Sequence, residues 1–161
     1  MNRGKAFERE FKSSMDNAGL YSMRIPDKIY WTGKRIASEE TPADFFGISA
    51  TGNPFMVECK ATAQKSLSFS ALQEHQHRAL TDFQSYHANC RSFIAVNFYS
   101  SESIRERNLC FIIPLAVWDE YLAGDRKSIG MKQCEGDARI IKCPRAKGST
   151  FDLSYFVSIF S

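Results

Sequence analysis

No apolar run in this 161-residue chain approaches the roughly 18 to 20 residues that a membrane-crossing helix needs. The opening segment MNRGKAFEREFK holds Glu8 and Glu10 and has no apolar core. It therefore does not read as a secretory signal, and the cytoplasm is the expected compartment. The cysteines Cys59, Cys90, Cys110, Cys134 and Cys143 are odd in number and contain no CxxC pair. That excludes a disulfide framework and the usual structural zinc spacing, leaving reduced thiols as the expectation. Cys134 and Cys143 are the pair that could adjoin across a hairpin. Histidine is scarce, and His75, His77 and His87 offer no third ligand at zinc spacing. A Ser-His-Asp order, a phosphate-cradling glycine loop and a dinucleotide fingerprint are also missing. There is no internal repeat, low-complexity tract or evident linker.

What is present is globular. Apolar residues make up 43% and charged residues 24%, enough for one domain spanning 1–161. The net charge of +3 permits nucleic-acid binding without demanding it, so cations serving DNA must be gathered locally.

Periodicity places the elements. Phe7, Phe11, Met15 and Ala18 recur at helical spacing over 4–18, with Gly19 as a stop and Glu8 at the edge of the apolar face. YSMRI reads as a short strand halted by Pro26. Residues 27–42 show neither period and read as a loop. ADFFGIS and FMVECKAT form a hairpin signal around Gly52 and Asn53. Ser70 is the expected N-cap of the next helix, boxed with Gln73. That helix's apolar stripe of Leu72, Ala79, Leu80 and Phe83 contains an intruding Gln76. Residues 91–99 and 108–114 read as buried strands and PLAVWDEYLAG as a helix. The remainder, including FDLSYFVSIF, reads as short strands and loops. The expected architecture is α/β, with a mixed central sheet flanked by helices.

One strand carries chemistry. Alternation in FMVECKAT puts Phe55, Val57, Cys59 and Ala61 on one face, with Met56, Glu58 and Lys60 on the other. Asp44 begins the partner strand, so pairing would gather Asp44, Glu58 and Lys60 at one end of a ribbon. Two carboxylates with a backbone carbonyl make a hard oxygen site suited to Mg²⁺, which can polarise a phosphodiester and acidify water. A neighbouring ammonium can hold that water or stabilise developing charge. The D…E-x-K spacing is unspecific by itself, and Glu58–Lys60 could equally be an exposed strand pair.

TPADFFG…FMVECKAT resembles the P-D…E-x-K core of the restriction-endonuclease-like nucleases. GKAFERE is similar to the G-x-x-x-E helix that Holliday junction resolvases of the archaeal and RecU types place before that core. LSFSALQEHQ resembles the RecU-type segment ending in H-E-H-Q, and GDRKSI followed by FDLSYF matches that family's C-terminal pattern. The resemblance runs from Gly4 to Phe156. It implies metal ligation by Asp44, Glu58 and the Cys59 backbone carbonyl, with Glu8 as a further ligand or water-positioning group. Lys60 would assist the attacking water, and Gln76 would complete the catalytic set. Mg²⁺ is the implied cofactor, with Mn²⁺ as a substitute, and branched DNA the implied substrate of a homodimer in a bacterial or phage-infected cell.

The long basic stalk of RecU-type proteins is reduced here to 27–42. Lys28, Tyr30, Trp31, Lys34 and Arg35 are the candidate DNA contacts in it, and Lys65 is another beyond the second strand. Gln73 stands where the family pattern has His, so no role transfers to it. The competing expectations are a restriction- or repair-type endonuclease on duplex DNA, a non-catalytic DNA-binding recombination modulator, and, more weakly, an RNA-processing protein.

Overall fold

Phe7, Phe11 and Met15 are fully buried, and their burial is what holds the first helix, α1 (Arg3–Asn17), against the sheet. The computed structural model describes residues 2–103, 105 and 107–161. In α1 the Asn2 side chain caps the helix by accepting from the Lys5 N–H at 3.3 Å. Arg3, also buried, forks onto both carboxylate oxygens of Glu10 at 2.8 Å and reaches Asn97, locking the start of the helix to the sheet.

Six strands form the main sheet: β1 (Tyr21–Arg24), β4 (Phe45–Ile48), β5 (Pro54–Thr62), β7 (Arg91–Tyr99), β8 (Asn108–Pro114) and β10 (Ile141–Cys143). Their spatial order is β1-β4-β5-β7-β8-β10, with β5 and β7 parallel and every other neighbour antiparallel. The parallel pair needs a crossover, which the helix α2 (Glu74–Tyr86) supplies. The expected mixed sheet with flanking helices is what the chain forms. One glycine is required by packing: a Cβ on Gly47 would lie 2.3 Å from the Phe55 ring.

Each face of the sheet has its own core. On one, α1 and the short α5 (Ser154–Ser158) cover Phe55, Val57, Cys59 and Phe93. On the other, α2, α3 (Leu115–Leu122) and α4 (Met131–Gly136) cover Ile94, Val96 and Phe111. A separate ribbon of β6 (Ser66–Ser68) and β9 (Ser128–Gly130) packs on the second side through Leu67 and Ile129. Among the described residues no helix is long and apolar enough to cross a membrane.

Four local expectations need correction. Residues 27–42 hold a hairpin rather than a loop: β2 (Lys28–Trp31) pairs with β3 (Ile36–Glu39) around a two-residue turn. Gly33 there has φ +86°, the glycine-first geometry of a type II′ turn, and Thr32 N–H donates to the Arg35 carbonyl at 3.0 Å. Both faces of this hairpin are largely solvated, so no period is imposed on it. Second, Ser70 does not cap α2. Ser68 caps a single 3₁₀ turn at Phe69–Ala71, and α2 starts after Gln73. Third, FDLSYFVSIF holds α5, because Phe156 and Phe160 pack against Phe55 and Phe93 from a helical turn. Fourth, Cys143 lies opposite Cys110, not Cys134, all three being buried and free.

Candidate active site

The β5 alternation survives in three dimensions. Val57 and Cys59 enter the core beneath α1, while Glu58 and Lys60, in register with Ile94 and Val96, face the side covered by α2. Glu58 is only 3% exposed, a costly position for a carboxylate unless it is paired. Its Oε1 accepts from Lys60 Nζ at 2.8 Å and from Gln76 Nε2 at 2.6 Å. Gln76 Oε1 accepts in turn from Lys60 Nζ at 3.0 Å. The three side chains therefore close a ring of hydrogen bonds. Gln76 Oε1 also accepts the Gln73 backbone N–H at 3.0 Å, which makes Gln76 the third-residue member of the α2 capping box. The glutamine that interrupts the apolar stripe thus belongs to the site and to the helix end together.

Asp44 closes the arrangement from the start of β4. Its main-chain carbonyl accepts from Ile25 N–H, and its Oδ2 accepts from Cys59 N–H, both at 2.8 Å. The β4–β5 pairing begins only at Phe45↔Val57, so the carboxylate takes the place a strand partner would have had. An extended residue directs its N–H and C=O to the same side, so the Cys59 carbonyl points toward Asp44 and away from β7.

Burial, reinforced by the Asp44 charge, pushes the Glu58 carboxyl up to about 7, against the pull of Lys60. Burial also raises Asp44, while its bond from Cys59 N–H opposes the rise. The charge of Glu8 raises both. The Cys59 thiol is pushed well up by burial and by the Asp44 and Glu58 charges, so it is a packing group and not a nucleophile.

Glu8 faces the same region from α1 but is held apart. Its Oε2 lies 3.2 Å from Arg24 Nε and its Oε1 3.5 Å from Lys5 Nζ. Arg24, at the end of β1, is a site neighbour that sequence reasoning passed over, since nothing in its local pattern marks it. Among the described residues no three His, Cys, Asp or Glu side chains form a ready metal-holding group. The donor chemistry nevertheless fits a hard dication. Glu58 is a buried acid and Asp44 a half-buried one, and Glu8 opposes the charge of each.

The candidate DNA contacts are split between two places. Tyr30 and Trp31 are 53% and 66% exposed on the hairpin, whose turn carries Lys34 and Arg35. Lys28 pairs with Glu39 at 3.0 Å. Lys65 lies elsewhere, at the entry to β6.

An antiparallel β4–β5 pair joined to a parallel β7, with acids at the β4 start and along β5, defines a restriction-endonuclease-like fold. A solved structure of that kind, Hjc of Archaeoglobus fulgidus, a Holliday junction resolvase from an archaeal hyperthermophile, superposes with a TM-score of 0.53. The alignment covers 81% of this chain and 90% of that one at 15% identity. The family model of recombination protein U, RecU, matches residues 20–155, and the chain belongs to that family. No curated protein sequence matches it significantly.

Proposed function

We propose that this chain is a divalent-metal-dependent endonuclease that resolves four-way DNA junctions by paired symmetric nicks, working as a two-fold homodimer in the cytoplasm. Membership of the RecU family makes it a Holliday junction resolvase of recombination. The observation that carries the chemical reading is the half-buried ring of Glu58, Lys60 and Gln76 beside Asp44.

Asp44, Glu58 and the Cys59 carbonyl would hold the ion, with Glu8 as a further ligand or a group positioning water. Mg²⁺, or Mn²⁺ in its place, supplies Lewis-acid polarisation of the phosphodiester and neutralises its charge. Lys60 is the nearest ammonium, and Gln76 and Glu58 fix its direction, so it orients the attacking water or stabilises charge on the phosphoryl oxygens. Gln76 holds Lys60 and Glu58 at once, which keeps the ammonium from swinging into solvent. Cutting two symmetry-related strands with one site per chain calls for two chains.

The hairpin supplies junction selectivity: Tyr30 and Trp31 stack on unpaired bases at the branch point, while Lys34 and Arg35 meet phosphates. Wild-type protein with Mg²⁺ should nick a synthetic four-way junction symmetrically and leave linear duplex of identical sequence intact. Trp31→Ala should weaken junction binding by about 5- to 150-fold, the range for one lost base stack, without affecting duplex binding. Equal cleavage of both substrates would overturn the junction reading.

The acid pair also sets a pH dependence. A carboxyl that titrates near 7 is protonated below that pH, and an incoming cation must displace the proton. Divalent-ion affinity, measured by calorimetry, should be level above about pH 7. Below it the affinity should fall, approaching tenfold per unit, and Glu58→Gln should remove both the binding and the slope.

A further inference from the structure

The GDRKSI segment is not used by the candidate active site, and its cations line one cleft. Arg126 and Lys127 precede β9, Lys132 follows it in α4, and Lys65 precedes β6. All four line one open cleft of about 580 Å³ beside the β6–β9 ribbon. None of them takes part in an ion pair among the described residues. The one acid lining the cleft, Glu135, is turned to Lys142 at 3.6 Å. Several cations elsewhere are matched: Arg139 with Glu120 and Asp137, Lys12 with Asp16, Arg78 with Glu74. Four unmatched cations around a concave surface repel one another and are stabilised by a polyanion.

The platform is fixed. Met131 N–H donates to the Lys65 carbonyl at 3.0 Å, and Phe69 N–H to the Lys127 carbonyl at 3.1 Å, closing the two ends of the ribbon. Lys65 and Lys132 therefore stand at one end, and Arg126 and Lys127 at the other. At a rise of about 3.3 Å per strand residue, the two groups are about 13 Å apart. That is close to the roughly 12 Å width of the DNA major groove, so each group can meet one strand of a duplex. The ribbon packs on the same side of the sheet that Glu58, Lys60 and Gln76 face. Lys65 is five residues beyond Lys60 along the chain, a reach of at most about 17 Å, or five base steps.

We infer that Lys65, Arg126, Lys127 and Lys132 form a second, non-catalytic site for the phosphate backbone of a duplex arm, its Lys65 end no more than about five base steps from Lys60. The inference rests on the nuclease reading for the identity of the anion, and DNA binding tests it independently of cleavage.

The test uses the full-length protein and fluorescent four-way junctions in Ca²⁺, at several salt concentrations, with arms of about 4 or 15 base pairs. Neutralising three phosphate contacts should lower the slope of log affinity against log salt by about 2.7. The R126Q/K127Q/K132Q variant should show that loss, and trimming the arms should weaken wild type about tenfold or more while leaving the variant indifferent. Lys147→Gln, which removes an exposed charge outside the cleft, controls for net charge. Far-ultraviolet dichroism and an unchanged Tm establish that the triple variant is folded. A variant equal to wild type in salt slope and arm-length dependence would overturn the site, as would an equal effect of Lys147→Gln. Should wild type bind arms this way yet cut no junction, the nuclease reading fails while the cleft stands.

Discussion

Asp44→Asn should abolish Mg²⁺-dependent junction cleavage, by about 10³-fold or more, while junction binding in Ca²⁺ and thermal stability persist. The change removes one negative charge and almost no volume. Asparagine keeps an oxygen able to accept the Cys59 N–H now bound at 2.8 Å, so the β4–β5 end holds. What goes is a hard anionic ligand. Burial and the Asp44 charge raise the neighbouring Glu58 carboxyl together, so neutralising Asp44 also lets Glu58 fall back toward its ordinary range. A merely structural Asp44 would give the opposite pattern, with activity following the folded fraction and Tm dropping. If cleavage survives in the folded variant, the metal site lies elsewhere.

Phe156→Ala should cost about 3–5 kcal/mol, the range for truncating a buried aromatic, and lower the Tm by about 10 °C in a chain of this length. The ring is fully buried. It meets Phe55, Phe93 and Phe160 at centroid separations of 5.6, 5.0 and 5.2 Å, each close to edge-on. Phe55 lies on β5 and Phe93 on β7, the parallel pair that carries the site, so the last helix clamps those two strands from the opposite face. Calorimetric unfolding checks the figure. A Tm within a degree or two of wild type would mean that the neighbouring rings collapse into the space.

The two residues differ in how far they could be read beforehand. The Glu58–Lys60 face was legible because a central strand alternates strictly, and polar intrusions into it stand out. Gln76 was legible for the same reason on a helix. Phe156 was not: DLSYFVSIF is rich in β-branched and aromatic residues, and only burial among distant phenylalanines makes it helical. The hairpin at 28–39 was obscured because solvent bathes both of its faces, although Gly33-Lys34 is a recognisable turn pair. The start of α2 was misplaced onto Ser70, a residue that caps well but that bonds Ser68 in a 3₁₀ turn instead. Most hidden was the bond from Cys59 N–H to Asp44, since a side chain standing in for a strand partner leaves no periodic trace. The Glu8–Arg24 pair, between the consecutive elements α1 and β1, was equally silent because neither residue breaks its element's pattern.

Gln76 completes the cap of α2 with the same oxygen that steadies Lys60. Fraying of the first helical turn and release of Lys60 are therefore coupled. β5 leaves the ribosome before residue 76 does, so a nascent chain carries its acids and its lysine without the brace that aligns them. The alignment of Glu58 and Lys60 therefore arrives with the crossover helix and not with the strand that bears them.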